Sequence, residues 1–311
     1  MIWIIGSGNM AYEYAKVLKY KKLNFTVVGN RKSSCKAFNK KTGLEVVNGG
    51  VENFLLDNPT LPKYAIVCVN IDKLCKVTTK LIEFGVKKIL CEKPGSLLLG
   101  ELIKMNTLSR LKKVNLYIAY NRRFYGSVIE LKRKINKDNG LKSLHFDFTE
   151  KSIKIKNLKH SAFIKSRWLI ANSLHIIDTA FYLAGMPKTI NVSKIGKKLN
   201  WHPNSSIFVG SGITTRNILF SYNANWNVPG NWKMEFMTNK KRYILEPIEE
   251  LYEKKAGLEK KIIKNKKNFD IMFKPGLYEM ISSFNKGNYL NFCSIKDQIK
   301  LIKLCNRIAG Y

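Results

Sequence analysis

Ile2-Trp3-Ile4-Ile5-Gly6-Ser7-Gly8-Asn9-Met10-Ala11 is the stretch on which the fold turns. Its four apolar residues run without a polar interruption, which suits a central strand buried on both faces of a parallel sheet. The glycines follow at once, and Ala11, Ala15, Val17 and Leu18 then recur with the period of a helix. GxGxxA between a strand and a helix reads as a dinucleotide-binding loop, and that context is what makes the motif informative. Gly6 permits the tight turn, Gly8 lets a pyrophosphate approach the backbone, and Ala11 lets the helix pack close to the sheet. Ser7, Asn9 and Met10 complete the loop in front of the helix N-terminus, which faces the anion.

Strands and helices continue to alternate beyond it. A strand over 25–29 ends in Asn30-Arg31-Lys32-Ser33, where an NAD-specific site usually carries Asp or Glu to accept from the ribose 2′-hydroxyl. No carboxylate stands there. Asn30 can hydrogen-bond a 2′-phosphate and Arg31 can stack on it or pair with it, so NADP(H) is expected over NAD(H), with Lys32 and Ser33 in the same contact. NAD(H) is the alternative. A third strand is expected over 45–47, and a buried strand over 64–69 brings Val69 and Asn70 to the cofactor. A helix from about 73 to 84, a strand over 86–91, a helix over about 100–111 and a strand over 115–119 complete a doubly wound unit.

The strand over 86–91 runs into Glu92-Lys93-Pro94. Proline cannot donate to a sheet ladder and holds the residue before it extended. Lys93 is therefore expected at a strand end with its ammonium beyond the sheet edge, where open α/β sheets bind ligands. Glu92 and Lys93 join the expected cofactor contacts. Tyr120-Asn121-Arg122-Arg123-Phe124 stands at the next strand terminus.

In the second half, 168–183 has helical periodicity, with Leu174, Ile177 and Phe181 on one face and Asn172, His175, Asp178 and Tyr182 on another. A face bearing His and Asp rather than lysine is unusual in so basic a chain. Residues 144–155 alternate like a half-buried strand, and further strands are expected over 189–195, 206–209, 213–222, 232–237 and 242–245. Such a run of strands implies a mostly antiparallel sheet with one open face. Trp201, Trp226 and Trp232 lie in or near its loops and can line a sugar site or pack as core. Residues 254–268 read as a charge-rich hairpin or loop, and 275–285 and 294–307 as helices.

Composition narrows the classes. The 311 residues carry 55 Lys+Arg against 22 Asp+Glu, a net charge of +33, with 45% hydrophobic residues. That charge favours anionic partners. The lysines are spread along the chain beside asparagine and isoleucine, and no zinc finger, basic zipper or ribonucleoprotein motif accompanies them, so dedicated nucleic-acid binding is not expected. The six cysteines form no CxxC pair and no metal spacing, which fits a reduced compartment and no metal site. No run approaches a membrane span, and Met1 opens directly on a strand, so a cytoplasmic protein without a membrane role is expected.

These motifs together resemble the glucose-fructose oxidoreductase / inositol dehydrogenase (Gfo/Idh/MocA) family of NAD(P)-dependent oxidoreductases. The loop at Gly6–Ala11, Cys91-Glu92-Lys93-Pro94, Tyr120–Phe124, and Asn172-Ser173-Leu174-His175-Ile176-Ile177-Asp178 followed by Tyr182-Leu183-Ala184-Gly185 carry the resemblance. It implies an α/β protein with a Rossmann domain over 1–119, then an α+β domain over 120–311 with a large, mostly antiparallel open sheet. That sheet's open face would be the interface of a homodimer or homotetramer. Lys93 would be the catalytic lysine near the nicotinamide and His175 the acid/base residue. Ala171 stands where many members carry aspartate, which leaves Lys93 and His175 as the core pair.

The implied reaction is hydride transfer between the nicotinamide and a secondary alcohol or ketone of a sugar, sugar derivative or nucleotide-sugar, as in surface-polysaccharide sugar synthesis. It needs a base for the hydroxyl proton and a positive group beside the developing alkoxide. An imidazole and an ammonium suit those tasks. Tyr120, Asn121, Arg123 and Asn172 are expected at the substrate, and Asp178 either there or orienting the imidazole. A non-catalytic regulator that binds a dinucleotide or sugar on the same fold is the competing reading.

Overall fold

The computed structural model describes residues 1–196, 199–263 and 269–311. The chain divides into two compact units, Met1–Tyr120 with Leu277–Lys300, and Asn121–Gly276 with Leu301–Tyr311.

In the first unit β1 (Ile2–Ile5) is buried at every residue. It pairs in parallel with β2 (Phe25–Gly29) on one side. The other strands are β3 (Val46–Asn48), β4 (Tyr64–Val67), β5 (Lys88–Glu92) and β6 (Asn115–Ala119). From one edge the order is Cys293–Ser294, β6, β5, β4, β1, β2, β3, all parallel except Cys293–Ser294, which runs antiparallel to β6. The chain leaves β1 for β2 and β3 and then crosses to β4 on the other side. The ends of β1 and β4 therefore form the switch point at which such sheets bind ligands. Between the strands lie α1 (Asn9–Tyr20), α2 (Lys32–Thr42), α3 (Gly50–Leu56), α4 (Leu74–Phe84) and α5 (Leu99–Leu111).

The strand bounds shift from those expected. β3 lies one residue later, and β4 stops at Val67 rather than 69. β5 begins at Lys88 rather than 86 because Gly85 and Val86 belong to the end of α4. Gly85 has φ +107° and bonds Ile82 O, while Val86 N bonds Leu81 O at 3.0 Å. This pair of bonds closes a helix through a left-handed glycine.

The second unit carries β7 (Ser143–Phe148), β8 (Pro187–Ile195), β9 (Ile207–Thr214), β10 (Leu219–Asn225), β11 (Trp232–Met237), β12 (Arg242–Leu245), β13 (Leu251–Lys254) and β14 (Lys261–Ile263). Among the described residues they form one eight-stranded sheet, ordered β14-β13-β12-β11-β7-β10-β9-β8. Every pair is antiparallel except β7–β10. Its helices include α6 (Gly126–Lys137), α7 (Ser152–Lys156), α8 (Ala162–Ser166) and α9 (Leu174–Ala184). α9 packs on one face, with Phe181 edge-on to Phe146 and Phe220 at 5.7 and 5.1 Å. On the other face Val209, Ile213 and Leu219 are exposed, with Ile213 paired to Leu219.

Three expectations are corrected here. The alternation over 144–155 ends at Phe148, because the Asp147 carboxylate accepts from Thr149 N at 2.7 Å and turns the chain towards α7. The strand over 213–222 is two strands, β9 and β10, joined by a turn with Asn217 at φ +58°. The helix over 168–183 is a π-turn, Leu169–Ser173, followed by α9. The charge-rich hairpin begins as β13 and β14, while 264–268 lie outside the described residues. The last helices run Leu277–Asn285 and Ile295–Ala309. Among the described residues no helix is long and apolar enough to cross a membrane.

Candidate functional sites

A cleft of about 560 Å³ opens over the loop after β1. Gly6, Ser7, Gly8, Asn9 and Met10 line it, as do Asn30, Arg31, Val69 and Asn70 from the ends of β2 and β4. Gly6 sits at φ +128°, and a Cβ there would stand 2.6 Å from Cys68 O, so only glycine fits. A Cβ on Gly8 would meet nothing within 4 Å, which leaves the backbone open to a ligand. α1 has no acidic residue in its first turn and no side-chain cap. Its first N–H groups and the helix dipole are thus directed at an anion.

Lys32 and Ser33 are exposed on the first turn of α2 and do not line the cleft. Ser34 does so instead, accepting from Ser7 Oγ at 3.0 Å and donating to Arg31 O at 2.9 Å. The reading by residue type also missed Lys73, Lys76 and Lys80 on the opposite wall. Lys76 and Lys80 both pair with Glu52, at 3.0 and 3.2 Å, and their hydrogen bonds hold its carboxyl below the usual range. With Arg31 they make a basic rim, which suits a phosphate-bearing ligand. A dinucleotide therefore fits this cleft.

Glu92 and Lys93 lie at the end of β5 rather than in the cleft lining. The corner there is tightly tied. Tyr14 on α1 donates to Glu92 Oε1 at 2.6 Å, and burial, then the Glu92 charge, raises its phenol so that it keeps its proton. The Lys93–Pro94 peptide is cis. Pro94 O accepts from Gln298 Nε2 at 2.9 Å, and Gln298 Oε1 accepts from Tyr120 at 2.9 Å. Tyr120, expected at the substrate, is buried and gives its hydroxyl to this tie. Cys91 behind the corner is an inert core thiol, pushed up to about 12 by burial.

In the second unit His175 sits in the first turn of α9, 7% exposed, with its ring 6.5 Å from Trp232. Asp178, three residues on, is 1% exposed and is gripped by Arg123 from the Asn121–Phe124 turn. Asn121 donates to Pro275 O at 3.1 Å. Asn172 donates to both oxygens of Glu150, at 3.0 and 3.2 Å, and Ser173 Oγ donates to Glu150 Oε1 at 2.7 Å. Glu150 and Asn172 line a second cleft, of about 570 Å³, together with Arg122, Trp168 and Trp232. The Arg122 guanidinium lies 4.9 Å from the Trp232 ring centre. His175, Asp178, Arg123 and Asn121 do not line this cleft. Trp201 and Trp226 stack on each other at 5.3 Å in the core. Glu150 and Arg122 were missed in the sequence, although a carboxylate just past a strand end in so basic a chain was a usable signal.

The Gfo/Idh/MocA family, described as an oxidoreductase family with an NAD-binding Rossmann fold, matches residues 1–120. No curated protein matches the chain. Solved structures resemble all of it at low identity. The UDP-N-acetylglucosamine 3-dehydrogenase GnnA from Acidithiobacillus ferrooxidans has a TM-score of 0.74 at 12% identity, over 99% of this chain and 96% of that one. The WlbA dehydrogenase from Chromobacterium violaceum, in complex with NADH and UDP-GlcNAcA, has a TM-score of 0.73 at 13% identity, over 100% and 92%. A super-repressor mutant of Gal80p from Saccharomyces cerevisiae has a TM-score of 0.78 at 12% identity, over 99% and 94%. Residues 1–120, with the glycine loop and its cleft, thus match the Gfo/Idh/MocA oxidoreductase family and carry its NAD-binding Rossmann fold.

Proposed function

We propose that the protein is an NADP(H)-preferring oxidoreductase acting on a secondary alcohol or ketone of a sugar, sugar derivative or nucleotide-sugar. The observation that carries the reading is the cleft over Gly6–Met10, with Asn30 and Arg31 in place of a ribose-binding carboxylate. The first unit is the dinucleotide-binding part and the second the substrate-binding part. The dinucleotide supplies hydride transfer when bound. The loop N–H groups hold its pyrophosphate, and Asn30 and Arg31 hold the 2′-phosphate. Lys93 supplies positive charge to a reacting oxygen, and His175 takes or returns the hydroxyl proton. The likeness to GnnA and WlbA supports a nucleotide-sugar within that class. The exposed apolar residues Val209, Ile213 and Leu219 support assembly of a homo-oligomer through the open sheet face.

Ala171 and the likeness to Gal80p favour one competing reading, a binding protein that does not turn substrate over. A panel of sugars, sugar phosphates and nucleotide-sugars, followed by NADPH absorbance, separates the two. Turnover of a panel member is expected. Tight NADPH binding with no turnover across the panel would establish the regulator instead.

A further inference from the structure

We infer that Glu150 is a substrate-facing carboxylate of the second unit, a specificity-determining residue that accepts from ring hydroxyls of a substrate laid against Trp232. The inference rests on the sugar reading above and names a residue which that reading did not contain.

Position 171 holds alanine, so the π-turn itself brings no acid to this region. The acid arrives from another element. β7 ends at Phe148, the Asp147 turn redirects the chain, and Glu150 follows before α7 begins. Only 7% exposed, Glu150 nevertheless lines the second cleft. Carboxylates are rarely that buried unless their charge is met. Asn172 and Ser173 donate three bonds to it from the π-turn side. They also fix the rotamer, so the carboxylate is held ready rather than left to search.

The rest of the lining fits the same kind of ligand. Trp232 offers an aromatic face for the C–H surface of a sugar ring, and Arg122 stacks on that ring at 4.9 Å. Lys151 and Lys154 line it as exposed residues and form a lysine margin where an anionic substituent would find positive charge, apart from the Glu246 and Glu249 that also line the cleft. An acceptor-only group beside an aromatic wall selects hydroxyl-bearing rings. It also repels a second carboxylate placed against it, so an anionic substituent belongs at the lysine margin. A site built to accept from a hydroxyl rejects the analogue that lacks it much more strongly than an apolar pocket rejects a missing methylene.

A purely structural role, tying the π-turn to the end of β7, makes different predictions. Glu150→Gln keeps the shape and an acceptor for Ser173, and the Asn172 amide can turn over to match it, but the charge is gone. Full-length wild type, Glu150→Gln and Glu150→Asp are compared by calorimetry and saturation-transfer NMR. The probes are methyl α-D-glucopyranoside and glucose 1-phosphate, each with its 2-deoxy analogue. The expected result is binding of at least one hydroxylated probe by wild type, weakened at least ~10-fold in both variants, the order lost with one charged hydrogen bond. NADPH affinity and melting temperature should stay near wild type in Glu150→Gln. Unchanged probe affinity in either folded variant overturns the inference, as does failure of wild type to bind any probe. NADPH binding is measured on the same samples. Its persistence when the probes fail removes only the role of Glu150, whereas its absence removes the oxidoreductase reading itself.

Discussion

Arg123 and Asp178 hold each other through two hydrogen bonds, Nε to Oδ2 at 2.9 Å and Nη2 to Oδ1 at 2.5 Å. The side chains are 11% and 1% exposed, so the pair is shielded from solvent. The guanidinium also lies 4.8 Å from the Tyr182 ring centre. Two residues that sequence alone offered to the substrate are thus engaged with one another, pinning the Asn121–Phe124 turn to α9. Arg123→Ala takes the guanidinium away from a carboxylate in the core and is expected to cost about 3–5 kcal/mol. Replacing both by apolar residues, Arg123→Met with Asp178→Leu, should recover much of that loss. Urea unfolding of the two single variants and the double variant checks this, and additive losses would mean the pair is not coupled.

The proposed function puts cofactor choice at the end of β2. NADPH should bind more tightly than NADH, and Arg31→Ala should erase most of the difference by weakening NADPH about 10- to 100-fold, the range for a charged hydrogen bond. NADH affinity should barely move. Equal affinities in wild type would show that this basic loop does not read the 2′-phosphate. Gly6→Ala, with its Cβ driven towards Cys68 O at φ +128°, is expected to abolish binding of both cofactors.

On the true substrate, Lys93→Ala and His175→Ala should each lower turnover at least ~100-fold, the lower range for losing a proton-handling group. NADPH affinity should largely survive in His175→Ala, because that residue lies outside the dinucleotide cleft. Near-normal turnover in His175→Ala would leave Lys93 as the sole acid/base.

What could be read in advance was chemistry carried by neighbours in the chain. The glycine loop is legible because turn, close approach and helix start all fall within Gly6–Ala11, and the parallel sheet follows from apolar runs that need both faces covered. What escaped depends on distance or on broken periodicity. Tyr120 looks available until Gln298, 178 residues away, takes its hydroxyl. Glu150 gains its meaning from donors 22 and 23 residues on. The π-turn at Leu169–Ser173 shifts the angular register, so a 3.6-residue wheel drawn through Asn172 and His175 puts them on one face where the structure separates their surroundings. β5 begins late because a helix-closing glycine outranked the β-branched Val86.

His202 gives the second unit an acid-sensitive element. Its ring is fully buried, with Nδ1 2.8 Å from Ser205 O and Nε2 2.8 Å from Tyr311 Oη. A carbonyl oxygen can only accept, so Nδ1 carries the proton and Nε2 accepts from the tyrosine. Tyr311 Oη accepts in turn from Leu169 N at 3.3 Å, at the start of the π-turn, and burial keeps the phenol protonated. Burial lowers the imidazole to about 4, against the Ser205 bond that raises it, with Arg167 lowering it further. The unfolded chain therefore binds this proton first as pH falls. Stability from the neutral ring is complete above about pH 6.5, declines between there and about pH 4, and falls no further once the native ring is also charged. The gap corresponds to roughly 3 kcal/mol. Carboxylates titrate over part of the same range, so the test is a difference between proteins. Urea midpoints at pH 7 and pH 4.5 should converge more steeply towards unfolding in wild type than in His202→Gln, which starts lower and loses less. Equal acid losses in the two would show that His202 is not the sensitive group.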